Sequence, residues 1–272
     1  MGKPVKELFE IVGETQLSNN TILYYHRFIS SVLSTAVHWQ VIPSNPCERV
    51  KPPKPENTKI CYLDEQEAIR MLEMLEGEEI QFRAAVTVLL FTGMRRGELL
   101  GLEWGDIDYQ LQTIQIERTS QYLPGVGVFT DETKTKKSQR TIIAPQAALR
   151  VLKELQRWQT EQRLALGDKW EHSDRVLVTW NGRPMNPDTL SGQFHKFISK
   201  TDLPQVTVHG LRHTNATLQI AQGVPLPNVA DHLGHETSVT TAKIYARAIQ
   251  SVRLATANML DDLLAPQDKK TG

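Results

Sequence analysis

The stretch that decides the fold spans residues 207–247 and reads TVHGLRHTNATLQIAQGVPLPNVADHLGHETSVTTAKIYAR. It holds a histidine and an arginine one helical turn apart, followed by a second histidine and a tyrosine: His209, Arg212, His235 and Tyr245. An arginine fork binds phosphate oxygens in pairs, an imidazole moves protons near neutral pH, and a phenol can attack phosphorus to form an ester. The set therefore indicates chemistry on a phosphodiester.

A second block lies upstream, where Thr92-Gly-Met-Arg95-Arg96-Gly-Glu98 follows a nearly all-apolar run at residues 80–91. With both blocks in view, the chain resembles the tyrosine recombinase, or phage integrase, family, in particular the integrases of phages and conjugative transposons. The resemblance rests on this block, on His209-Gly-Leu-Arg-His213, on Leu233-Gly-His235 and on the Thr-Thr-Ala-Lys-Ile-Tyr run that ends at Tyr245. One such motif alone is weak, but all four stand in the family's order and approximate spacing.

The resemblance implies a role for each catalytic residue. Arg95 and Arg212 clamp the phosphate, His209 is the general base, His235 donates to a nonbridging oxygen, and Tyr245 is the nucleophile. The family position directly after Thr-Gly-Met selects Arg95 over its neighbour Arg96. Glu98, on the same helical face as Arg95, either orients part of the site or is an ordinary surface glutamate.

The leaving 5′-oxygen needs a proton, and the family takes it from a lysine on a hairpin between strands. Thr133-Lys134-Thr-Lys136-Lys137-Ser138 offers three candidates. Its offset to Arg140 favours Lys134, with Lys136 second. We expect Lys136, Lys137 and Arg140 to contact DNA, although such a charge run is also typical of a solvated loop.

The fold expected from the pattern and the resemblance is mainly α-helical with a small antiparallel sheet. It comprises a partial helical DNA-binding domain of the core-binding type (residues 1–50), a Pro-rich linker (51–61), a catalytic domain (62–265) and a tail (266–272). Only the second half of the family's core-binding domain is matched, so the chain resembles a fragment or a shortened member. In this first domain, His26 and Arg27 are either DNA contacts or solvated surface residues.

Periodicity and capping residues predict the individual elements. We expect a helix from Ser18 or Asn20 with a buried stripe that includes Tyr25, Ile29 and Val32. A second helix starts from an Asp64–Glu67 capping box, and the spacing of Ile69, Leu72 and Leu75 continues it to about Glu76. Further helices are expected at 80–91, 146–166, 186–200, 211–222, 225–233, 239–248 and 252–264, and strands at 113–118, 139–143 and 176–180.

Bulk composition limits the class of protein. The 272 residues carry 31 basic and 31 acidic side chains, so nucleic-acid binding would depend on local patches instead of net charge. Cys47 and Cys61 are expected to be reduced thiols. With no apolar run of membrane-spanning length and no signal core, we expect a cytoplasmic protein without membrane contact.

By resemblance, the expected function is site-specific DNA recombination through a 3′-phosphotyrosine, without a cofactor. The partners are double-stranded DNA and other protomers in a dimer or tetramer, with the helix at 252–264 available either for docking a neighbour or for packing within the chain. A type IB topoisomerase and a catalytically idle DNA-binding regulator are alternatives. Zinc binding by His209, His213, His232 and His235 is a weaker one, since no acidic or cysteine ligand completes a set.

Overall fold

A computed structural model of the chain describes residues 17–55, 61–132 and 139–234. The chain divides into two compact units, Met1–Lys59 and Ile60–Gly272. Over the described ranges, no helix combines the length and apolarity needed to cross a bilayer. The predicted helices at 239–248 and 252–264 lie outside the described residues.

The first unit contains helix α1, Asn19–His38, followed by a 3₁₀ turn at Pro46–Arg49. Ser18 caps α1, as predicted, by accepting a hydrogen bond from the backbone N–H of Thr21 at 3.2 Å. The predicted buried stripe is wrong, because no residue of α1 is buried and its apolar side chains are at least half exposed at Tyr25, Ile29 and Val32. The described part of this unit has too little chain to cover that face.

The second unit begins with helices α2 (Glu65–Leu75), α3 (Ile80–Thr92) and α4 (Arg96–Gly101). The capping box predicted at α2 is confirmed, with Asp64 and Glu67 each accepting the other's backbone N–H at 2.8 Å. The buried face of α2 is Ala68, Met71 and Leu75, whereas Leu72 is partly buried and Ile69 is exposed. Helix α3 is buried on nearly every side, as its continuous apolar sequence predicts.

Four further helices complete the described core: α5 (Gln146–Leu166), α6 (Pro187–Ile198), α7 (Val208–Ala221) and α8 (Leu226–Leu233). Helix α3 packs against α5 on one side and α7 on another. A small separate apolar cluster, Ala216, Ile220, Val229 and Leu233, holds α8 on α7. Helix α7 starts three residues earlier than predicted, because Thr207 caps it by accepting the N–H of Gly210 at 3.1 Å.

The strands form two antiparallel sheets. The first has the order β1 (Ile107–Asp108), β2 (Thr113–Ile116) and β5 (Arg140–Ile143), with Ile116 paired to Arg140. The second is a hairpin of β3 (Arg118–Leu123) and β4 (Gly127–Glu132). Sequence analysis predicted β2 and β5 but missed the hairpin, and its strand at residues 176–180 is wrong, because Val178 forms only an isolated bridge with Pro184.

Candidate active site

Arg95 lies in the short break between α3 and α4. Gly93 ends α3 in the left-handed conformation (φ 62°), and Arg95 is the residue immediately before α4. A Cβ at position 93 would come within 2.7 Å of both the Asn215 side-chain oxygen and Leu233 Cδ2. The break between α3 and α4 therefore requires glycine at position 93, both because of its φ and because of close packing.

Glu98 binds two arginines from one buried position. Its Oε2 accepts from the Arg95 backbone N–H at 2.7 Å, and its Oε1 accepts from the Arg95 guanidinium at 2.8 Å. The Arg140 guanidinium approaches as a fork, with Nη1 at 3.0 Å from Oε1 and Nη2 at 2.9 Å from Oε2. With side-chain exposures of 3% for Glu98 and 9% for Arg140, this ion pair is shielded from water.

The pKa of Glu98 records the balance of these effects. Burial alone would raise it, but the hydrogen bonds and charge of Arg140, joined by those of Arg95, bring the pKa below its usual value. Glu98 is thus an anion at neutral pH that neutralises part of a cationic cluster. Of the two readings that the sequence left open, the buried geometry favours an orienting residue over a surface glutamate.

Arg212 is 2% exposed and is held by the ends of two helices. It donates to the carbonyl oxygen of Gly93 at 2.8 Å, where α3 ends, and to that of Leu233 at 2.6 Å, where α8 ends. Carbonyls at helix C-termini carry partial negative charge, which stabilises a buried guanidinium. Arg95 donates to the next carbonyl of the same turn, that of Gly234, at 3.2 Å. The two arginines of the two sequence blocks therefore meet at the Leu233-Gly234 turn.

Asn215 fixes the end of α3 from the other side, and sequence analysis missed it. Its side-chain amide donates to the carbonyls of Leu90 at 2.9 Å and Phe91 at 3.2 Å. Asn215 is only 8% exposed and lies one turn after Arg212 on α7. Its spacing of three residues from Arg212 places both side chains on one face of α7, and this spacing could have identified Asn215 from the sequence.

His209 lies on the first turn of α7, close enough to both arginines to respond to their charge. Burial, then Arg212 and then Arg95, lower its pKa below the usual value. The His213 ring meets the His209 ring edge to face, with centroids 4.8 Å apart. Burial, then His209 and then Arg212, lower the pKa of His213 to about 4. Both imidazoles are therefore neutral near pH 7, and His209 is ready to accept a proton.

An open cleft of about 500 Å³ adjoins these groups. Arg95 and His209 line it together with Arg96, Ser191 and Thr207. Arg95 is the most accessible member of the arginine cluster, since 43% of its side chain is exposed. The cleft therefore presents one guanidinium and one imidazole side by side, those of Arg95 and His209.

The remaining predicted residues divide into three groups. Lys134, Lys136, Lys137, His235 and Tyr245 lie outside the described residues. Arg140, expected on an exposed basic loop in contact with DNA, is instead buried against Glu98 and donates through Nε to the His232 carbonyl at 3.1 Å. In the first unit, His26 contacts the Cys47 carbonyl at 3.3 Å and Arg27 is exposed. Within the described ranges, no three His, Cys, Asp or Glu residues form a group that could hold a metal ion.

Comparison with known proteins gives the family. The model of the phage integrase family matches residues 61–251. The ICEBs1 integrase of Bacillus subtilis (strain 168) is 30% identical over 251 residues, which cover 92% of this chain and 68% of the relative. A XerC-like tyrosine recombinase of Caldanaerobacter subterraneus subsp. tengcongensis is also 30% identical, over 90% of this chain and 67% of the relative. The chain thus spans about two thirds of the length of these relatives.

Solved structures show the same fold. The Tn1549 transposon integrase in complex with a circular intermediate DNA superposes with a TM-score of 0.73 at 22% identity, covering 89% of this chain and 80% of that one. A lambda integrase dimer bound to a COC′ core site gives a TM-score of 0.54 at 17% identity, covering 79% and 71%. The mainly helical fold with small antiparallel sheets is therefore confirmed. The chain belongs to the phage integrase family of tyrosine recombinases.

Proposed function

We propose that this protein is a site-specific DNA recombinase that cleaves and rejoins strands through a 3′-phosphotyrosyl intermediate, with Tyr245 as the nucleophile. The observation that carries the proposal is that Arg95 and His209 line one open cleft, while the buried Arg212 meets Arg95 at the Leu233-Gly234 turn. A phosphodiester anion repels nucleophiles, so its cleavage needs fixed positive donors on the nonbridging oxygens. Two guanidiniums that share one helix end supply such donors before the substrate arrives.

The first chemical step forms one bond and breaks another. The Tyr245 oxygen attacks phosphorus while its proton passes to His209, which the lowered pKa keeps unprotonated near neutral pH. Arg95 and Arg212, with His235 as a further donor, hold the nonbridging oxygens. The bond to the 5′-oxygen breaks, and Lys134 gives that oxygen a proton.

The second step reverses the first with a different strand. A 5′-hydroxyl from a partner duplex attacks phosphorus and returns its proton to Lys134, while the bond to the Tyr245 oxygen breaks and that oxygen regains the proton held by His209. Bond energy is conserved, so no nucleotide cofactor enters the scheme. Exchange between two duplexes needs several protomers on DNA, and we propose a dimer or tetramer in which residues 252–264 dock on a neighbour. We also propose that the protein acts in the cytoplasm.

Our domain assignment is part of the same proposal. Residues 62–265 carry the chemistry, and residues 1–50 contribute to DNA binding through a linker at 51–61. His26 and Arg27 in the first unit, with Lys136 and Lys137, are proposed contacts to the phosphate backbone, which position the protein without reading sequence. Arg140 is proposed to act indirectly, by holding Glu98 and through it Arg95.

A nicked suicide substrate tests the proposal. With the nick next to the cleavage site, the free 5′-end diffuses away and the covalent protein–DNA adduct accumulates. We expect a denaturation-resistant adduct with the unsubstituted protein and none with Tyr245→Phe. An adduct of normal yield from Tyr245→Phe would refute the assignment, and no adduct from either protein would favour the idle DNA-binding regulator.

Further assays distinguish recombination from a type IB topoisomerase and from zinc-dependent cleavage. Joining of ends from two different duplexes indicates recombination, whereas relaxation of supercoiled DNA without exchange indicates a type IB topoisomerase. Unchanged adduct yield in the presence of EDTA argues against zinc-dependent cleavage. Because Tyr245→Phe removes only a hydroxyl, a melting temperature equal to that of the unsubstituted protein excludes unfolding as the cause of lost activity.

A further inference from the structure

A second buried polar cluster lies away from the arginines of the active site, centred on Arg175. This residue is 8% exposed and donates to the backbone carbonyl of Gly101, the last residue of α4, and to the hydroxyl of Thr130 on β4. Its Nε lies 3.6 Å from Glu103, which also pairs with Arg118 of β3 at 3.0 Å. A single guanidinium thus joins the end of α4 to the β3–β4 hairpin.

The backbone around Arg175 fixes the base of this connection. The N–H of Val176 donates to the Leu102 carbonyl at 3.0 Å, and the N–H of Trp104 donates to the Asp174 carbonyl at 2.9 Å. The Arg175 carbonyl accepts from the side-chain amide of Gln159 on α5 at 3.1 Å. Arg175 therefore projects from a segment that is itself tied to the core, and its guanidinium cannot shift without breaking buried hydrogen bonds.

Packing independently places the same hairpin on α4. Gly97 and Gly101 lie one turn apart on that helix, and a Cβ at either would meet the backbone of β3, at 3.0 Å from the Ser120 carbonyl and 2.9 Å from the Arg118 carbonyl. Only glycine allows the strand to come this close. The helix that begins after Arg95 and the hairpin are thus in direct backbone contact.

We propose that Arg175 is a positioning residue for the leaving-group step: it holds the β3–β4 hairpin in register with the helix that follows Arg95. This inference rests on the proposed function. Strand β4 runs through Thr130 toward the lysines at 134, 136 and 137, and Thr130 precedes Lys134 by four positions. In the proposed mechanism, Arg95 holds the nonbridging oxygens of a phosphate while the general acid protonates the 5′-oxygen of the same phosphate. A clamp between α4 and Thr130 of β4 therefore fixes, relative to the helix after Arg95, the described strand from which the chain continues to the proposed general acid.

The experiment compares two suicide substrates, one with the normal bridging 5′-oxygen and one with sulfur in that position. A thiolate leaves without a proton, so the sulfur substrate removes the need for a general acid while leaving the other requirements intact. For Arg175→Met we expect cleavage of the oxygen substrate to fall by about 10–100-fold, less than complete loss of general acid catalysis. Cleavage of the sulfur substrate should stay within about threefold of the unsubstituted protein.

Thr130 provides a milder variant that keeps the buried core intact. Its side chain is exposed, so Thr130→Ala removes one partner of Arg175 with little risk of unfolding, and Thr130→Ser keeps the hydroxyl as the matched control. We expect Thr130→Ala to slow only the oxygen substrate, by about 3–10-fold, and Thr130→Ser to match the unsubstituted protein. Equal slowing of both substrates by Arg175→Met and Thr130→Ala, or no slowing by either, overturns the inference.

Lys134→Ala distinguishes failure of this inference from failure of the function on which it rests. Suppose that Lys134→Ala loses cleavage of the oxygen substrate alone, while Arg175→Met affects both substrates equally or neither. The assignment of Lys134 as the general acid is then supported, and the positioning role of Arg175 is refuted. If the unsubstituted protein forms no adduct with either substrate, the proposed function fails and the inference with it. Selective loss in Lys134→Ala, Arg175→Met and Thr130→Ala together supports both.

Discussion

Glu98→Gln is expected to lower both the stability of the second unit and its cleavage activity. The carboxylate is 3% exposed and accepts one backbone and three guanidinium hydrogen bonds from Arg95 and Arg140. The amide keeps the size but removes the charge and turns an N–H₂ group toward donors. Breaking one side of a buried ion pair costs about 3–5 kcal/mol, because the partner charge stays buried. For a unit of about 200 residues this lowers the melting temperature by about 6–20 °C.

Glu76→Gln is the matched control. Glu76 pairs with Arg83 at 2.7 Å, a distance like those at Glu98, but its side chain is 72% exposed. The same substitution there should cost no more than about 1 kcal/mol. The assay is thermal or urea unfolding of both variants beside suicide-substrate cleavage, which should also fall in Glu98→Gln because Arg95 loses its support. Equal melting temperatures for the two variants would refute the reasoning.

The ionisation of Glu98 should also make the free energy of unfolding depend on pH in the acidic range. The folded-state pKa of Glu98 lies below its ordinary value of 4.5, so its contribution is complete above that value and is lost as pH falls through the folded pKa. Stability of the unsubstituted protein should therefore decrease over this acidic range more steeply than that of Glu98→Gln. Parallel curves for the two proteins would mean that Glu98 is not paired in solution.

Three further predictions concern the neighbouring groups. Gly93→Ala should lower the free energy of unfolding by at least about 2 kcal/mol, because of left-handed backbone strain and the clash with Asn215. Gly77→Ala is the control and should be close to neutral, since a Cβ there has nothing within 4 Å. Similar urea midpoints for the two variants would contradict this prediction. The pKa of His213 is about 4 in the folded protein, below the ordinary 6.5, so the free energy of unfolding should decrease as pH drops from 6.5 toward 4. Unfolding curves recorded across this pH range should show a weaker pH dependence for His213→Phe. Arg212→Lys keeps the positive charge but loses the two-pronged hydrogen bonding to the carbonyls of Gly93 and Leu233. Cleavage should fall by about 100–1,000-fold, while the circular dichroism spectrum remains that of a folded protein. A near-normal cleavage rate would show that Arg212 does not bind the phosphate.

Features set by neighbouring residues could be predicted from the sequence. Ser18 and Asp64 are capping residues whose hydrogen bonds span three positions, so the helix starts that they predict are found in the structure. The apolar run of α3 and the glycine at its end likewise act locally. The family resemblance implies that Arg95 and Arg212 lie in one site, and in the structure both donate to backbone carbonyls at the end of α8.

Features set by distant contacts could not be predicted in this way. Arg140 follows a lysine run, a pattern typical of an exposed loop, yet its partner is Glu98 on another element. Hairpin β3–β4 contains mixed polar residues without clean alternation, and its position depends on Gly97, Gly101 and Arg175. The exposed apolar face of α1 shows the same limit, since periodicity identifies an apolar face but not what covers it.

The most direct test of the account is to identify the residue that becomes joined to DNA. The adduct from the suicide substrate is digested with nuclease and trypsin, and the nucleotide-bearing peptide is sequenced by mass spectrometry. Cleavage after Lys243 and Arg247 yields the tetrapeptide Ile-Tyr-Ala-Arg, residues 244–247. The account predicts a 3′-phosphonucleotide on its tyrosine, and a nucleotide on any other residue would contradict it.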